Sequence, residues 1–329
     1  MSKPPFWTSW HARLHRQLLL EPWLLPRGQP LLLAVSGGQD SMALLSLLIG
    51  LRHLHAWTLT VWHGDHGWHE RSGVIALELA DWCQSRGLLV RVNRATSSDT
   101  GSEAAARHWR YRELAQMARI HGQDVVTGHT ATDRAETMLL QMARGTDLAG
   151  LGSLRPQRPL EAERPDGAQL RRPLLCFSRS ETEAICRDLN LPVWMDPSNN
   201  NHAYARNRIR HQVLPVLEGL HPGSCNRMAD LSERVSQVQD IQRELSHQAL
   251  LRLQHQSGLD RRELGKLQPA TRRVLLATWL SQRGVPTIDA KLLDELSHRL
   301  DVGNASGYCS LPKGWRLQWK GDALMLDQA

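Results

Sequence analysis

Residues 31–35 are all apolar, and the run gives way at Gly37-Gly38. A short, unbroken apolar run bounded by glycine predicts a strand covered on both faces. Residues 41–51 then read as an apolar helix. Residues 57–62, 88–92 and 124–127 repeat the strand pattern, with a helix at 74–85 between the second and third strands. Ser102 is placed to cap a helix in which Tyr111, Leu114, Ala115 and Ala118 fall at i, i+3, i+4 and i+7. Ala135, Met138, Leu139 and Met142 make a further helical stripe that stops near Gly145. This alternation predicts an α/β fold, a parallel sheet with helices on both faces.

The pattern then changes. Residues 155–172 hold Pro156, Pro159, Pro165 and Gly167 without periodicity and read as a surface loop. Residues 178–190 and 203–217 read as helices, with Val193-Trp194 extended between them. His221-Pro222-Gly223 marks the expected boundary between a catalytic domain, residues 1–220, and a smaller helical domain, residues 221–329. Leu231, Val235, Val238, Ile241 and Leu245 define one long amphipathic helix there, and residues 271–283 and 287–300 two shorter ones. The tail alternates Trp315, Leu317 and Trp319 before Gly321-Asp322, the pattern of a short β-hairpin.

Composition narrows the class. Of 329 residues, 41% are apolar, enough for a real core, which excludes a disordered chain. The apolar run at 41–51 is too short to cross a bilayer, and Glu21-Pro22 breaks the N-terminal apolar stretch. The expectation is a cytoplasmic protein with no membrane partner. Five scattered cysteines without CxxC spacing argue against a zinc ribbon, an iron–sulfur site or a disulfide scaffold. The net charge of +7 is compatible with a nucleic-acid partner. Only five of the 40 basic residues are Lys, and none lies between Pro4 and Gly265. Any phosphate bound in that stretch is therefore held by backbone amides, arginine or a metal.

Ser36-Gly37-Gly38-Gln39-Asp40-Ser41 sits between the first strand and its helix. Two glycines bring bare amides close to a ligand, and the helix start behind them presents unpaired N–H groups and a positive dipole end. Ser36 and Ser41 add hydroxyl donors. No Gly-Lys-Ser/Thr follows, so this is not a Walker A loop. Asp40 beside a phosphate calls for a cation between the two anions, and Mg²⁺ is the natural one.

The six residues resemble the pyrophosphatase loop of the ATP-pyrophosphatase superfamily. Four further stretches resemble one family within it, the tRNA(Ile)-lysidine synthetases. The first is Asp65-His66-Gly67; the second is Glu103 with Ala106-Arg107 and Arg110-Tyr111. The third runs from Thr127-Gly128-His129 through Asp133 and Glu136-Thr137 to Arg144-Gly145. The last comprises Arg172-Pro173-Leu174-Leu175, Trp194, Asp196-Pro197-Ser198-Asn199 and Arg206-Asn207-Arg208-Ile209-Arg210. Trp68 and His69 replace the family's Leu-Arg, Thr130 its second His, Thr132 its first Asp and Arg134 its Gln.

The resemblance implies an enzyme that uses ATP, Mg²⁺ and free lysine to turn the wobble cytidine of a CAU-anticodon isoleucine tRNA into lysidine. AMP and pyrophosphate would leave, and decoding would change from AUG to AUA. It implies ATP at Ser36, Gly37, Gly38, Gln39, Asp40 and Ser41, and Mg²⁺ on Asp40. It implies a nucleotide or substrate pocket at Asp65, His66, Gly67 and Arg110. Asp133 would hold and deprotonate the lysine amine, Arg107 would meet developing phosphate charge, and His129 would join them at the carboxyl end of a strand. Arg206, Arg208 and Arg210 would contact tRNA phosphates. Taken singly, Asp133 is equally a helix cap, His129 a satisfied strand-end histidine, Glu103 and Arg107 a surface pair, and the arginine run a solvated face. A tRNA thiolase or a small-molecule synthetase would share the loop, but the thiolase needs paired cysteines and the chain has no such motif.

Overall fold

The computed structural model describes residues 7–68, 70–194, 205–255, 258–286, 288–301 and 305–328. His69, Asp196-Pro197-Ser198-Asn199, Thr287 and the Glu103 side chain lie outside the described residues. The chain divides into two compact units, Met1–Ser236 and Gln237–Ala329.

The first unit opens with α1 (Ser9–Leu20), β1 (Pro30–Ala34), α2 (Gln39–His55), β2 (Thr58–Asp65), α3 (Ser72–Gln84) and β3 (Leu89–Arg94). It continues with α4 (Glu103–His121), β4 (Asp124–Thr127), α5 (Ala131–Arg144), α6 (Leu148–Leu151), β5 (Gln157–Pro159) and β6 (Gln169–Arg171). Then come α7 (Arg179–Asp188), α8 (Ala205–Arg208), a π-helical turn at Ile209–Val213, α9 (Leu214–Leu220) and the start of α10 (Ser224–Arg252). The six strands lie in the order β3-β2-β1-β4-β6-β5 and are parallel except for the β5–β6 pair.

The core explains the unbroken apolar runs. Leu31 and Leu33 of β1 share one cluster with Leu44, Leu45 and Leu48 of α2, whereas Leu32 joins Trp109, Leu114 and Ala118 of α4 in another. Val126 and Val125 of β4 divide the same way. β1 and the Val125-Val126 centre of β4 are buried on both faces, so neither face there carries polar residues, whereas β3 at the sheet edge is largely exposed. Parallel connections then bring the carboxyl ends of β1, β2 and β4 to one edge, where loops can converge.

Two expectations change. Residues 155–172 are not simply a loop: they carry β5 and β6, and β6 pairs with β4 through Val125↔Leu170 and Val126↔Arg171. Three-residue strands are too short to show alternation. Their register is set by buried Asp124, whose carboxylate accepts from the Gln169 amide at 2.8 Å and the Arg171 guanidinium at 2.7 Å. In α10 the apolar row is not the buried one. Leu231, Val238, Ile241 and Leu245 are exposed, while Ser232 and Ser236 are buried. Ser232 Oγ donates to the Leu151 carbonyl at 2.7 Å, and Glu233 pairs with buried Arg134. The division between units falls inside α10, beyond the His221-Pro222-Gly223 turn.

A chain ended after Leu220 would therefore leave the Arg134 guanidinium without its carboxylate. We expect it to be less stable than a chain ended after Ser236 by about 1–2 kcal/mol, because Glu233 is partly exposed and solvent screens the pair. Equal melting temperatures for the two truncations would refute this.

The second unit holds the rest of α10, then β7 (Gln254–His255), β8 (Gly258–Asp260), α11 (Arg261–Gly265) and α12 (Pro269–Gln282). It ends with α13 (Ala290–Arg299), β9 (Gly307–Ser310), β10 (Trp315–Lys320) and β11 (Ala323–Gln328). The expected hairpin is β10–β11, but it lies within a five-stranded antiparallel sheet, β7-β8-β11-β10-β9. Leu317, Trp319 and Leu324 of that sheet share a core with Leu275, Leu276, Trp279 and Leu296. Among the described residues no helix is long and apolar enough to cross a membrane.

Candidate active site

Beyond β1 the chain turns through Ser36 and Gly37 into α2, with Gly38 as N-cap. Gly37 has φ +87°, a conformation glycine adopts without strain, and its carbonyl accepts from the Trp194 amide at 3.0 Å. The Gly38 amide donates to Ser36 Oγ at 3.3 Å, and Ser41 Oγ donates to the Gly38 carbonyl at 2.8 Å. The turn is thus built before any ligand arrives, with the first amides of a helix behind it. A cavity of about 420 Å³ opens beside it. The end of β4 forms another wall. A Cβ on Gly128 would stand 2.8 Å from the Asp40 carbonyl and 3.1 Å from the Ser41 amide, so only glycine lets that wall lie against the loop.

Asp40 lies in the first turn of α2. Its carboxylate pairs with Arg179 at the start of α7 and accepts from Thr182 Oγ1. Gln39 braces the same contact, donating to the Arg179 carbonyl at 2.8 Å and to Thr182 Oγ1 at 3.2 Å. The Arg179 amide donates to Thr132 Oγ1 at 3.0 Å. Thr132, where the resemblance calls for Asp, thus positions α7. Burial pushes Asp40 up to about 6; Arg179 opposes the rise and the nearby Asp133 carboxylate adds to it.

Asp133 sits in the first turn of α5 and does cap it: Oδ2 accepts from the Thr130 amide at 2.7 Å and from Thr130 Oγ1 at 2.9 Å. Its other oxygen faces Arg206, whose Nη2 donates at 2.7 Å, with Arg210 Nη2 at 3.4 Å. Glu136, one turn further on and wholly buried, accepts from Arg206 Nε at 2.7 Å and from Arg210 Nη2 at 2.9 Å. Burial alone would raise Asp133, but Arg206, the Thr130 amide and Arg210 together hold it well below the ordinary carboxylate range. Burial lowers His129, with Asp133 opposing and Arg172 assisting. The pair therefore rests as an ionised carboxylate beside a neutral imidazole, and His129 Nδ1 lies 2.8 Å from Thr127 Oγ1.

At the end of β2, Asp65 Oδ1 accepts from the Gly67 amide at 2.9 Å. His66 stacks on Trp68 at 4.7 Å and lies 3.5 Å from Arg110 Nη2. Trp62 and Trp109 are core residues, whereas Trp68 is exposed.

One cavity thus gathers Ser36, Gly38, Gln39, Asp40, Ser41, Asp65, His66, Gly67, Arg110, His129 and Asp133. Arg206 and Arg210, expected to face tRNA, turn into it, whereas Arg208 is exposed and off it. Arg107 is also off it and exposed, its guanidinium 4.9 Å from the Tyr111 ring. In the sequence Glu136 had a place in a motif but no role, and nothing there pointed to Arg179 or Thr182. Glu136 had a signal, since it stands three residues from Asp133 and so on the same helical face.

A parallel α/β sheet whose first strand feeds this loop, beside a carboxylate-lined cavity, defines a PP-loop enzyme, a class that uses ATP. Residues 11–217 match the family described as a PP-loop domain. The chain is similar to the tRNA(Ile)-lysidine synthase of Parasynechococcus marenigrum, 63% identical over 97% of this chain and 95% of that one. It is similar to that of Prochlorococcus marinus, 43% identical over 97% and 96%. The U34-tRNA thiolase NcsA of Methanococcus maripaludis shares the fold, with TM-score 0.58 and 18% identity over 69% of this chain and 78% of that one. The chain belongs to the tRNA(Ile)-lysidine synthase family and is an ATP-dependent ligase.

Proposed function

We propose that the protein joins free lysine to C2 of the wobble cytidine in the CAU anticodon of isoleucine tRNA. The observation that carries this reading is one cavity shared by a phosphate loop and by Asp133, Arg206 and Arg210, with buried Glu136 holding the two guanidiniums from behind. A nucleotide at the loop and an amino acid at the cluster would meet there. The cluster's formal charges cancel, two carboxylates against two guanidiniums. An incoming lysine brings a carboxylate for an arginine and an ammonium for Asp133, while Glu136 keeps its hold on the arginines, so it exchanges pairs rather than leaving buried charge behind.

In this reading the cytosine O2 attacks the α-phosphorus of ATP, the bond to the bridging oxygen breaks, and pyrophosphate leaves. The lysine side-chain amine then attacks C2, the C2–O bond breaks, and AMP leaves with that oxygen. A free lysine amine titrates near pH 10.4, so it sheds a proton before it attacks. Asp133, held ionised by Arg206, is suited to grip the ammonium; so firmly held an anion is a weak base. Asp40 fits Mg²⁺: it is a half-buried carboxylate near a second one, and Mg²⁺ takes one or two carboxylates together with phosphate oxygens. Bound there, Mg²⁺ would offset the phosphate charge. A tRNA substrate implies work in the cytoplasm.

Nucleoside analysis of isoleucine tRNA after incubation with ATP and free lysine tests the reading. Lysidine is expected; unchanged cytidine would overturn it. A pH dependence follows as well. Asp40 is ionised above about 6, and only the ionised form attracts a cation. Affinity for Mg²⁺-ATP should therefore fall on the acid side of that value, by about tenfold per pH unit at most. Equilibrium binding between pH 5 and 8 checks this, and Asp40→Asn should flatten the profile.

A further inference from the structure

Two sets of arginines in the first unit contrast in their partners. Arg134, Arg171, Arg179, Arg206 and Arg210 each face a carboxylate. Arg107, Arg158 and Arg172 have no carboxylate within 4.0 Å among the described residues. These three surround one side chain. The Arg107 and Arg158 guanidinium carbons lie 4.9 Å and 5.3 Å from the Tyr111 ring centroid, and Arg172 is close enough to act on its phenol. Arg172 is 2% exposed, and its Nε has no hydrogen-bond partner among the described residues. The protein acceptors they do have are neutral, the Tyr111 phenol and backbone carbonyls: Arg172 Nη1 donates to Arg155 O at 2.6 Å and Arg158 Nη1 to Pro159 O at 2.8 Å.

Three guanidiniums around one phenol repel one another, and a buried cation without a counter-ion is costly. Burial pushes Arg172 down to about 10, with Arg158 and Arg107 acting in the same direction against Tyr111. An anion with several oxygens would relieve all three at once. The loop at Ser36–Ser41 already provides for the triphosphate of ATP. Tyr111 lines the cavity, whereas Arg107 is exposed, so the cluster leads from the reaction site out to solvent, the path a polynucleotide strand must take.

We propose that Arg107, Arg158 and Arg172, gathered around Tyr111, form a second phosphate site, which takes a backbone phosphodiester of the tRNA beside the target cytidine. The assignment rests on the tRNA reading above. It replaces the inward-turned Arg206 and Arg210 as the arginines that grip the strand.

The test uses the full chain with Arg158→Gln and Arg158→Lys. Filter binding of isoleucine tRNA is measured at several salt concentrations, and binding of a non-hydrolysable ATP analogue separately. Arg158→Gln should weaken tRNA binding about tenfold and lower the salt slope by about one, with the analogue's affinity unchanged. Arg158→Lys keeps the cation and should restore the salt slope, a reading that loss of the bonds to the Pro159 and Leu160 carbonyls alone would not move. If Arg158→Gln does not fold, Arg107→Gln, at an exposed position, gives the same binding readings. An unchanged tRNA affinity and slope overturns the site. So does a loss confined to the ATP analogue, which would assign the cluster to the triphosphate. Lysidine formation by the unaltered chain is scored on the same tRNA: its absence fails the proposed reaction, whereas lysidine with an unchanged slope fails only this site.

Discussion

Asp133→Asn should bind ATP almost normally and make lysidine about 10²–10³-fold more slowly. The amide oxygen of Asn can still accept from the Thr130 amide, so the first turn of α5 keeps its cap. The NH₂ group, however, would face the Arg206 guanidinium, donor against donor, where a carboxylate now accepts at 2.7 Å. The pocket would lose the charge that grips an ammonium, and interactions of this kind with charged groups are worth several kcal/mol in a water-poor site. Lysine should saturate the variant poorly, while the affinity for ATP stays within about twofold. Full activity would remove Asp133 from the reaction. A Thr132→Val change should behave differently, raising the ATP requirement rather than the lysine requirement, because Thr132 acts on α7 and through Arg179 on Asp40.

Asp40→Asn should leave the fold intact, since Thr182 can still donate to the amide oxygen and Gln39 keeps its two bonds to α7. Pyrophosphate release, measured with tRNA and lysine present, should fall by about 10²–10³-fold. The loss should be greatest at low Mg²⁺. Near-normal turnover at low Mg²⁺ would show that the carboxylate serves Arg179 and no cation. The two variants are separable: Asp40→Asn should fail before pyrophosphate leaves, Asp133→Asn after.

Much of this site was legible before any coordinates. Strands buried on both faces appear in the sequence as unbroken apolar runs, and while a glycine pair alone is common in turns, all six residues of Ser36–Ser41 between such a run and a helix point to an anion cradle. What stayed hidden was short, reversed or distant. β5 and β6 hold three residues each, too few for a period. In α10 the conspicuous row is exposed and serines face inward, because helical periodicity shows that two faces differ but not which one is covered. The arginine run 206–210 was read as one surface, yet residues four apart share a helix face and the residue between them does not. Its spacing therefore separates Arg208 from Arg206 and Arg210. Arg179 and Thr182 stand 139 and 142 residues from Asp40, and no local pattern spans that distance.

That separation also sets an order of events during synthesis. A chain leaves the ribosome amino end first, at roughly 5–20 residues per second, so roughly seven to thirty seconds pass between the emergence of Asp40 and that of its partners. The phosphate loop and its helix are available early, while the carboxylate beside them still lacks the clamp that fixes its direction. Arg206 and Arg210 emerge later still. A growing chain therefore holds Ser36–Ser41 well before Gly128, Arg179 and Trp194, the groups that set the loop and its carboxylate, and the arrangement is complete only when the whole first unit has emerged.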